Sequence, residues 1–358
     1  MRITSVEAIP YALSFKEPYV TARGRLERRE IVLVRALTDE GAEGLGDAVP
    51  LSLRGGSDVG SIVREVHEVA APRLVGTELA KGKAAAEPPP GDLGNEAAAA
   101  IEMALLDLAG KVAGLPAWQL LGGESAGPVT CNATLAAGLP DSVALDAERW
   151  AARGFMTFKL KVGVPGEVAQ VKAVREAVGP DARIRVDANG VWPPQQALER
   201  LFAMEPFGLE LAEQPSSDLE DLRLVSQGTA IPIAADESVA SAGDAERAIE
   251  RGACDLATVK LAKVGGIAPA RSIARMLPVY LSSALDGPIG IAAAAHAAQA
   301  LPREGVWAGL AHGLATQLLF ADTIAAVECE VRDGLLHLPE GPGLGVELDE
   351  RALERHRL

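Results

Sequence analysis

The sequence predicts an α/β fold: a closed parallel (β/α) barrel with a separate α+β domain on its N-terminal side. Two observations predict it. From about residue 129 onward, short apolar segments alternate with amphipathic ones, eight of each, the pattern of a parallel sheet wrapped by crossover helices. Within that alternation charged residues recur at near-regular intervals: Lys161 to Asp187 is 26 residues, Asp187 to Glu213 is 26, Glu213 to Asp236 is 23 and Asp236 to Lys260 is 24. A βαβ unit takes about 30 residues, so each charged residue is expected to end a successive strand. In a barrel those ends meet on one face, where the chemistry is done. An open doubly wound sheet would instead gather its ligand groups at a switch point between two or three strands.

Taken in order, residues 2–10 and 30–38 read as strands, the second with Ile31, Leu33 and Arg35 alternating against Val32, Val34 and Ala36. The polar stretch 14–29 between them, containing Arg23-Gly24-Arg25, reads as a loop. A third strand follows Gly41 and reaches Asp47, and a second polar loop covers 50–56. The pair Gly44 and Gly46 lacks the third glycine and the helix of a dinucleotide fingerprint. Residues 58–74 read as a helix, and the Gly-, Pro- and Ala-rich 75–93 as a surface connection. Residues 95–113 form an Ala-rich helix with Ile101, Leu105 and Leu108 on one stripe, stopped at Gly114-Leu115-Pro116. Residues 1–125 are therefore expected to form the α+β domain and 126–326 the barrel. Barrel strands are expected near 129–134, 155–161, 183–187, 208–213, 231–235, 256–260, 278–282 and 308–313. Helices are expected near 141–153, 166–178, 193–205, 218–227, 242–251, 266–276, 289–301 and 315–326. Residues 327–358 carry a last strand signal and are expected to return to the first domain.

A chain of 358 residues suits a barrel with an attachment. Its net charge of −15 argues against nucleic acid or an anionic membrane as partner. No run of about 18 uncharged apolar residues predicts a membrane span, and the first residues lack an apolar signal core. Cys131, Cys254 and Cys329 are too scattered for a disulfide framework or a thiolate metal site. A cytoplasmic, reduced protein is expected, with a homo-oligomer left open.

The strand-end residues suggest a chemistry. Asp187, Glu213 and Asp236 are hard oxygen donors with no histidine nearby in sequence, a set that suits Mg²⁺ better than zinc. One such acid alone reads as a helix N-cap; three on successive strands, framed by lysines, do not. Lys159 and Lys161 share a strand face, and Lys260 arrives four strands later, across the mouth. A lysine crowded by another lysine and a metal should have a lowered pKa and serve as a general base. Two lysines on opposite sides of a metal-bound carboxylate substrate can take or return a proton on either face. Proton removal beside a carboxylate yields an enediolate, whose charge a divalent cation offsets.

These residues resemble the enolase superfamily, in particular its muconate-lactonizing-like subgroup. The resemblance rests on Lys159-Leu160-Lys161-Val162-Gly163, Val186-Asp187-Ala188-Asn189-Gly190, Glu213-Gln214-Pro215, Ala235-Asp236-Glu237-Ser238 and Lys260-Leu261-Ala262-Lys263-Val264-Gly265-Gly266. It implies a modified (β/α)₇β TIM-like barrel with an N-terminal α+β capping domain, and one Mg²⁺ per active site, replaceable by Mn²⁺. By the same resemblance Asp187, Glu213 and Asp236 are the metal ligands, Lys161 and Lys260 the acid/base pair, and Lys159 a supporting charge, with Lys263 a weaker candidate base.

Within the subgroup, Ser282-Ser283-Ala284-Leu285-Asp286 resembles o-succinylbenzoate synthases. That implies syn dehydration of 2-succinyl-6-hydroxy-2,4-cyclohexadiene-1-carboxylate, a step toward menaquinone, with Lys161 taking the α-proton and Lys260 stabilising the enediolate. Ser282, Ser283, Asn189 and Arg23 are then the candidate substrate contacts, and the loops 15–29 and 50–56 are expected to close over the substrate, with Arg25 or Arg54 as further carboxylate partners. The alternatives are N-acylamino acid racemase, dipeptide epimerase and muconate cycloisomerase. Dipeptide epimerases usually hold an ammonium group with an Asp-x-Asp pair at the eighth strand, where this chain reads Ala311-His312-Gly313-Leu314. His296 and His312 are read as structural. A glycosidase is disfavoured by the lysines and by only 4% aromatic residues, and a non-catalytic binding protein by the intact acid and lysine set.

Overall fold

The computed structural model describes residues 1–21, 24–52, 55–79, 91–302 and 307–358. Its N-terminal part is an antiparallel sheet of three strands, β1 (Ile3–Thr21), β2 (Gly24–Thr38) and β3 (Glu43–Ala48), in that order. The helix Asn95–Ala113 packs on β3. Gly44 and Gly46 make that packing possible. A Cβ on Gly44 would lie 2.1 Å from the Ala104 carbonyl oxygen, and one on Gly46 1.9 Å from that of Ala100. The glycine pair thus serves a close strand–helix approach.

The stretch 15–29 departs from the expected loop. β1 and β2 run on as a ribbon, paired Tyr19↔Leu26 and Thr21↔Gly24, with an irregularity between Ser14 and Tyr19. The outer half of β2 is largely exposed, so no apolar alternation marks it as strand. Its anchors are few: Phe15 stacks on Tyr19 and Phe320 with ring centroids 5.8 and 4.9 Å apart.

The barrel carries seven parallel strands in sequence order: Ala133–Leu135, Thr157–Lys161, Arg183–Asp187, Leu209–Glu213, Ile233–Ala235, Leu256–Val259 and Val279–Leu281. The second to seventh fall within two residues of their expected spans. The first is displaced, because Val129–Thr130 instead joins a small antiparallel sheet with Leu335–His337 and Glu330–Arg332. The eighth position is a seam of single bridges, His312 beside Cys131 and Gly313 beside Ser282. It is closed by Asn132 N–H to His312 O at 2.9 Å and Gly313 N–H to Leu281 O at 2.8 Å. The helix expected at 315–326 is only a 3₁₀ turn, Thr316–Leu319. Seven full strand–helix units and a closing eighth position make the modified (β/α)₇β barrel, capped by the α+β sheet.

Along each barrel strand one parity faces the helices and the other the interior. Phe158, Leu160, Ile184, Val186 and Ala212 belong to the large core cluster. Leu211, Ala234, Leu256 and Tyr280 form a separate cluster, the packed interior of the barrel. The C-terminal segment is split: Glu330–Arg332 and Leu335–His337 pair at the first barrel strand's approach, Glu347–Leu348 pairs with Ala325–Val327, and the helix Glu350–His356 lies against β1. Arg35 and Glu350 pair there at 2.5 Å. A second tie between cap and barrel is buried Asp47, which accepts from the Tyr11 hydroxyl at 3.1 Å and from the Ile289 and Gly290 amides at 3.2 and 3.1 Å. Among the described residues no helix is long and apolar enough to cross a membrane.

Candidate active site

The five charged strand ends converge. Lys161 ends the second strand, Asp187 the third and Glu213 the fourth; Asp236 follows the fifth and Lys260 the sixth. Second and sixth positions lie opposite in a ring of eight. All five are buried, with the acids at 0, 1 and 0% exposure, Lys161 at 6% and Lys260 at 5%. Sharp turns follow two of the acids: Asn189 and Gln214 adopt φ of 51° and 38°, a conformation non-glycine residues hold only where the surroundings enforce it. Gln214 has that support. Its amide donates to Ser238 Oγ and Ser216 O at 2.6 and 2.8 Å, and its oxygen accepts from the Asp236 amide at 2.8 Å.

Each acid carries lysine. Lys159 Nζ lies 3.0 Å from Asp187 and 2.5 Å from Glu213; Lys161 Nζ donates to Asp187 Oδ2 at 2.5 Å and to Asn189 Oδ1 at 3.2 Å. Lys260 pairs with Asp236 Oδ2, and Lys263 reaches Asp236 Oδ1 at 2.9 Å and Thr258 O at 2.8 Å. Lys263, set aside on sequence as a base, is thus a fixed counter-charge of Asp236.

Beside the carboxylates alone, Lys159 is shifted upward. Burial alone would pull its ammonium down, but Asp187 and Glu213 outweigh that and hold it well above the ordinary lysine value. For Lys263 burial wins and lowers it. The two acids that share Lys159 separate. Asp187 is buried, yet Lys159 and Lys161 hold its carboxyl far below the usual range, whereas burial and then neighbouring Asp187 push Glu213 up.

The donor set fits a hard divalent cation. Three carboxylates stand at the ends of successive strands, and Glu213 Oε1 is buried without a hydrogen-bond partner. As they stand, the described acids are not drawn together as a metal-ligand group; their oxygens face ammonium groups instead.

Lys159, Lys161 and Lys260 line a cavity of about 400 Å³. Thr134, Ser282, Ser283 and Thr316 close one side of it, and Tyr19, Leu26, Arg28 and Arg29 of the ribbon lie over it. The ribbon therefore covers the mouth, as a paired strand rather than a loop. Ser283 is engaged within the chain, donating to Asp286 Oδ2 at 2.7 Å. Asn189 contacts Lys161 and Glu237 rather than lining the cavity. Arg23 and Arg54 lie outside the described residues. His296 bridges Trp118 N–H, accepted at 3.1 Å, and Leu344 O at 3.2 Å, and His312 accepts from the Leu281 amide at 2.9 Å; both are structural.

Sequence reasoning passed over Arg185 and Tyr280. Tyr280 donates its hydroxyl to Glu213 Oε2, and the Arg185 guanidinium lies 4.6 Å from the Tyr280 ring centroid. The strand parity that paired Lys159 with Lys161 would have found Arg185, two residues before Asp187. Tyr280, in Val279-Tyr280-Leu281, carries no such signal.

Residues 3–122 match the model of the mandelate racemase / muconate lactonizing enzyme N-terminal domain, and residues 142–352 that of the enolase C-terminal domain-like family. The L-Ala-D/L-Glu epimerase of Bacillus subtilis (strain 168) is 36% identical over 310 residues, covering 83% of this chain and 84% of the relative. The o-succinylbenzoate synthase of Geobacillus stearothermophilus is 30% identical over 365 residues, covering 96% and 93%. The crystal structure of a dipeptide epimerase from Cytophaga hutchinsonii, complexed with Mg and the dipeptide D-Ala-L-Val, superposes with a TM-score of 0.88 at 29% identity, over 99% of this chain and 98% of that one. With both domain models matched in order and relatives aligned over most of its length, the chain belongs to the enolase superfamily, in its mandelate racemase / muconate lactonizing enzyme branch.

Proposed function

We propose that the protein is a Mg²⁺-dependent epimerase or racemase that inverts the carbon α to the carboxylate of an N-acylated amino acid, a class that includes dipeptides. One observation carries this reading: Lys161 and Lys260 line the same cavity from opposite strand positions, on either side of the acid cluster. Such a pair serves inversion, in which one face loses a proton and the other gains one. The synthase reading uses the same residues but asks only Lys161 to move protons, whereas inversion employs both lysines. The epimerase relative is the more similar, at 36% against 30% identity, and the Ser283 hydroxyl that favoured the synthase is engaged by Asp286.

In this mechanism Lys161, as the free amine, takes the α-proton from one face, and the Lys260 ammonium delivers its own proton to the other. The reverse reaction exchanges their roles. Lys161 must first leave Asp187, and Lys260 must be free of Asp236 to reach carbon. Lys159, between Asp187 and Glu213, offsets negative charge there and takes no part in the proton transfer of this scheme. Mg²⁺ held by Asp187, Glu213 and Asp236 would supply positive charge against that developing on the substrate carboxylate.

The synthase remains the second reading for a specific reason. Glu30 is the only acid among the described residues lining the cavity, and Arg28 pairs with it at 2.8 Å. Among the described residues no acid pair lines the cavity to receive a substrate ammonium group, so acyl groups without one fit better than a free dipeptide amino terminus. The test is proton NMR in D₂O with Mg²⁺, on dipeptides, N-succinyl and N-acetyl amino acids, and the cyclohexadiene carboxylate in parallel. Inversion with loss of the α-proton signal is expected for an N-acylated amino acid. Dehydration of the cyclohexadiene with no exchange on any amino-acid substrate would make the synthase reading correct instead.

A further inference from the structure

The barrel interior beneath the acids holds a polar column that the proton transfer does not use. Glu213 Oε2 takes two donors, Lys159 Nζ at 2.5 Å and the Tyr280 hydroxyl, while Oε1 has none. A carboxylate pinned through one oxygen cannot swing, so its other oxygen keeps one direction. Tyr280 is itself held. It is fully buried on the seventh strand, with the Arg185 guanidinium stacked on its ring at 4.6 Å. Arg185, from the third strand, is also fully buried; its Nε donates to Glu210 Oε2 at 2.5 Å and its Nη1 to Ala311 O at 2.7 Å. The brace therefore joins the third, fourth and seventh strands and the closing seam.

Stability does not account for it. A buried ion pair is often no more stabilising than apolar residues of the same volume, and Arg185 Nη2 is buried without a hydrogen-bond partner. An apolar layer at this level would pack without that cost, as Leu211, Ala234 and Leu256 do around it.

We propose that Tyr280, braced by Arg185, is a positioning residue that fixes Glu213 from beneath and so sets how tightly the acid cluster takes a divalent cation. This rests on Glu213 being a cation ligand, and the experiment separates the two ideas. Mg²⁺ binding is measured by calorimetry on the metal-free full chain, for the wild type, Glu213→Gln, Tyr280→Phe and Arg185→Gln. The thermal midpoint without metal is recorded for each. Outer partners of metal ligands contribute about 10- to 100-fold in affinity. Tyr280→Phe keeps the ring and its stack, so it should bind Mg²⁺ about 10-fold or more weakly with a nearly unchanged midpoint. Arg185→Gln leaves the hydroxyl in place and should show a smaller loss. If Glu213→Gln weakens binding while Tyr280→Phe and Arg185→Gln bind like the wild type, the positioning role is wrong and the ligand reading stands. If Glu213→Gln binds like the wild type, the ligand reading falls and this proposal with it.

Discussion

The strand ends that carry charge, from Lys161 to Lys260, sit on five consecutive paired parallel strands, whereas the hydroxyls of Thr134, Ser282, Ser283 and Thr316 flank the seam where single bridges close the barrel. The two sides differ in what holds them. On the charged side every lysine has a carboxylate and every acid a lysine, so a group is placed by electrostatics and a rigid strand together. On the hydroxyl side neutral groups face the cavity from short, irregular backbone. Chemistry needs groups fixed to within a fraction of an ångström, and the paired strands with their ion pairs supply that. Substrate fit tolerates variation, and the seam and ribbon supply it.

The largest effects should come from breaking the charged side. Lys161→Ala and Lys260→Ala should each lower the inversion rate by about 10²- to 10⁴-fold, the range for loss of a general acid or base. Folding should survive, because Asp187 keeps Lys159 and Asp236 keeps Lys263. The measurement is α-proton exchange followed separately from inversion. Near-wild-type inversion in either variant would remove the two-lysine mechanism.

A mid-sized effect tests the neutral side through its support. The helix Pro288–Gln299 follows Ser282 and Ser283, and His296 ties it to Trp118 and Leu344. Burial lowers the His296 pKa to about 4. As pH falls below about 6.5 the unfolded chain takes a proton there first, so this contribution is fully present above 6.5 and lost progressively toward pH 4, by at most about 3 kcal/mol. Asp47, pushed up to about 7 by burial, tilts the other way: its contribution is present at low pH and lost as pH rises toward 7. The informative quantity is therefore the difference in thermal midpoint between wild type and His296→Gln, measured from pH 4 to 8. That difference should shrink as pH falls; a constant difference would mean that His296 is not held neutral.

How far each side was legible in the sequence follows the same division. Asp187, Glu213, Asp236 and the lysines were readable because charge at the end of a short apolar run has few explanations and the interval repeats. The structure brings them together. The seam was not readable. Residues 308–313 and 315–326 have the apolar spacing of a strand and a helix, yet His312 and Gly313 only bridge. Phe320, beyond the 3₁₀ turn, gives its ring to Phe15 of the ribbon, a long-range partner that mimics helical periodicity. The ribbon itself was missed because an exposed two-stranded arm needs no buried face, and hydrophobic alternation is the signal of a buried face. Tyr280 was missed for the opposite reason: buried among apolar residues, it reads as core, and only the position of its hydroxyl against Glu213 distinguishes it.

The smallest expected effect sharpens the comparison most. Ser282 lines the cavity, and among the described residues its hydroxyl makes no hydrogen bond, whereas Ser283 both donates to Asp286 and accepts from its amide at 2.8 Å. Ser282→Ala should cost the chain little stability. If Ser282 contacts substrate, removing one neutral hydrogen bond costs about 1 kcal/mol, which raises KM about fivefold and leaves kcat nearly unchanged. Ser283→Ala should instead lower the thermal midpoint, because it takes the hydroxyl donor from the buried Asp286 Oδ2 and leaves it the Ala284 amide, at the turn into the helix Pro288–Gln299. Steady-state kinetics beside thermal melts of both variants decide the matter. A fall in kcat for Ser282→Ala comparable to that for Lys161→Ala would place the serine in the chemistry and dissolve the distinction between a charged side that reacts and a neutral side that recognises.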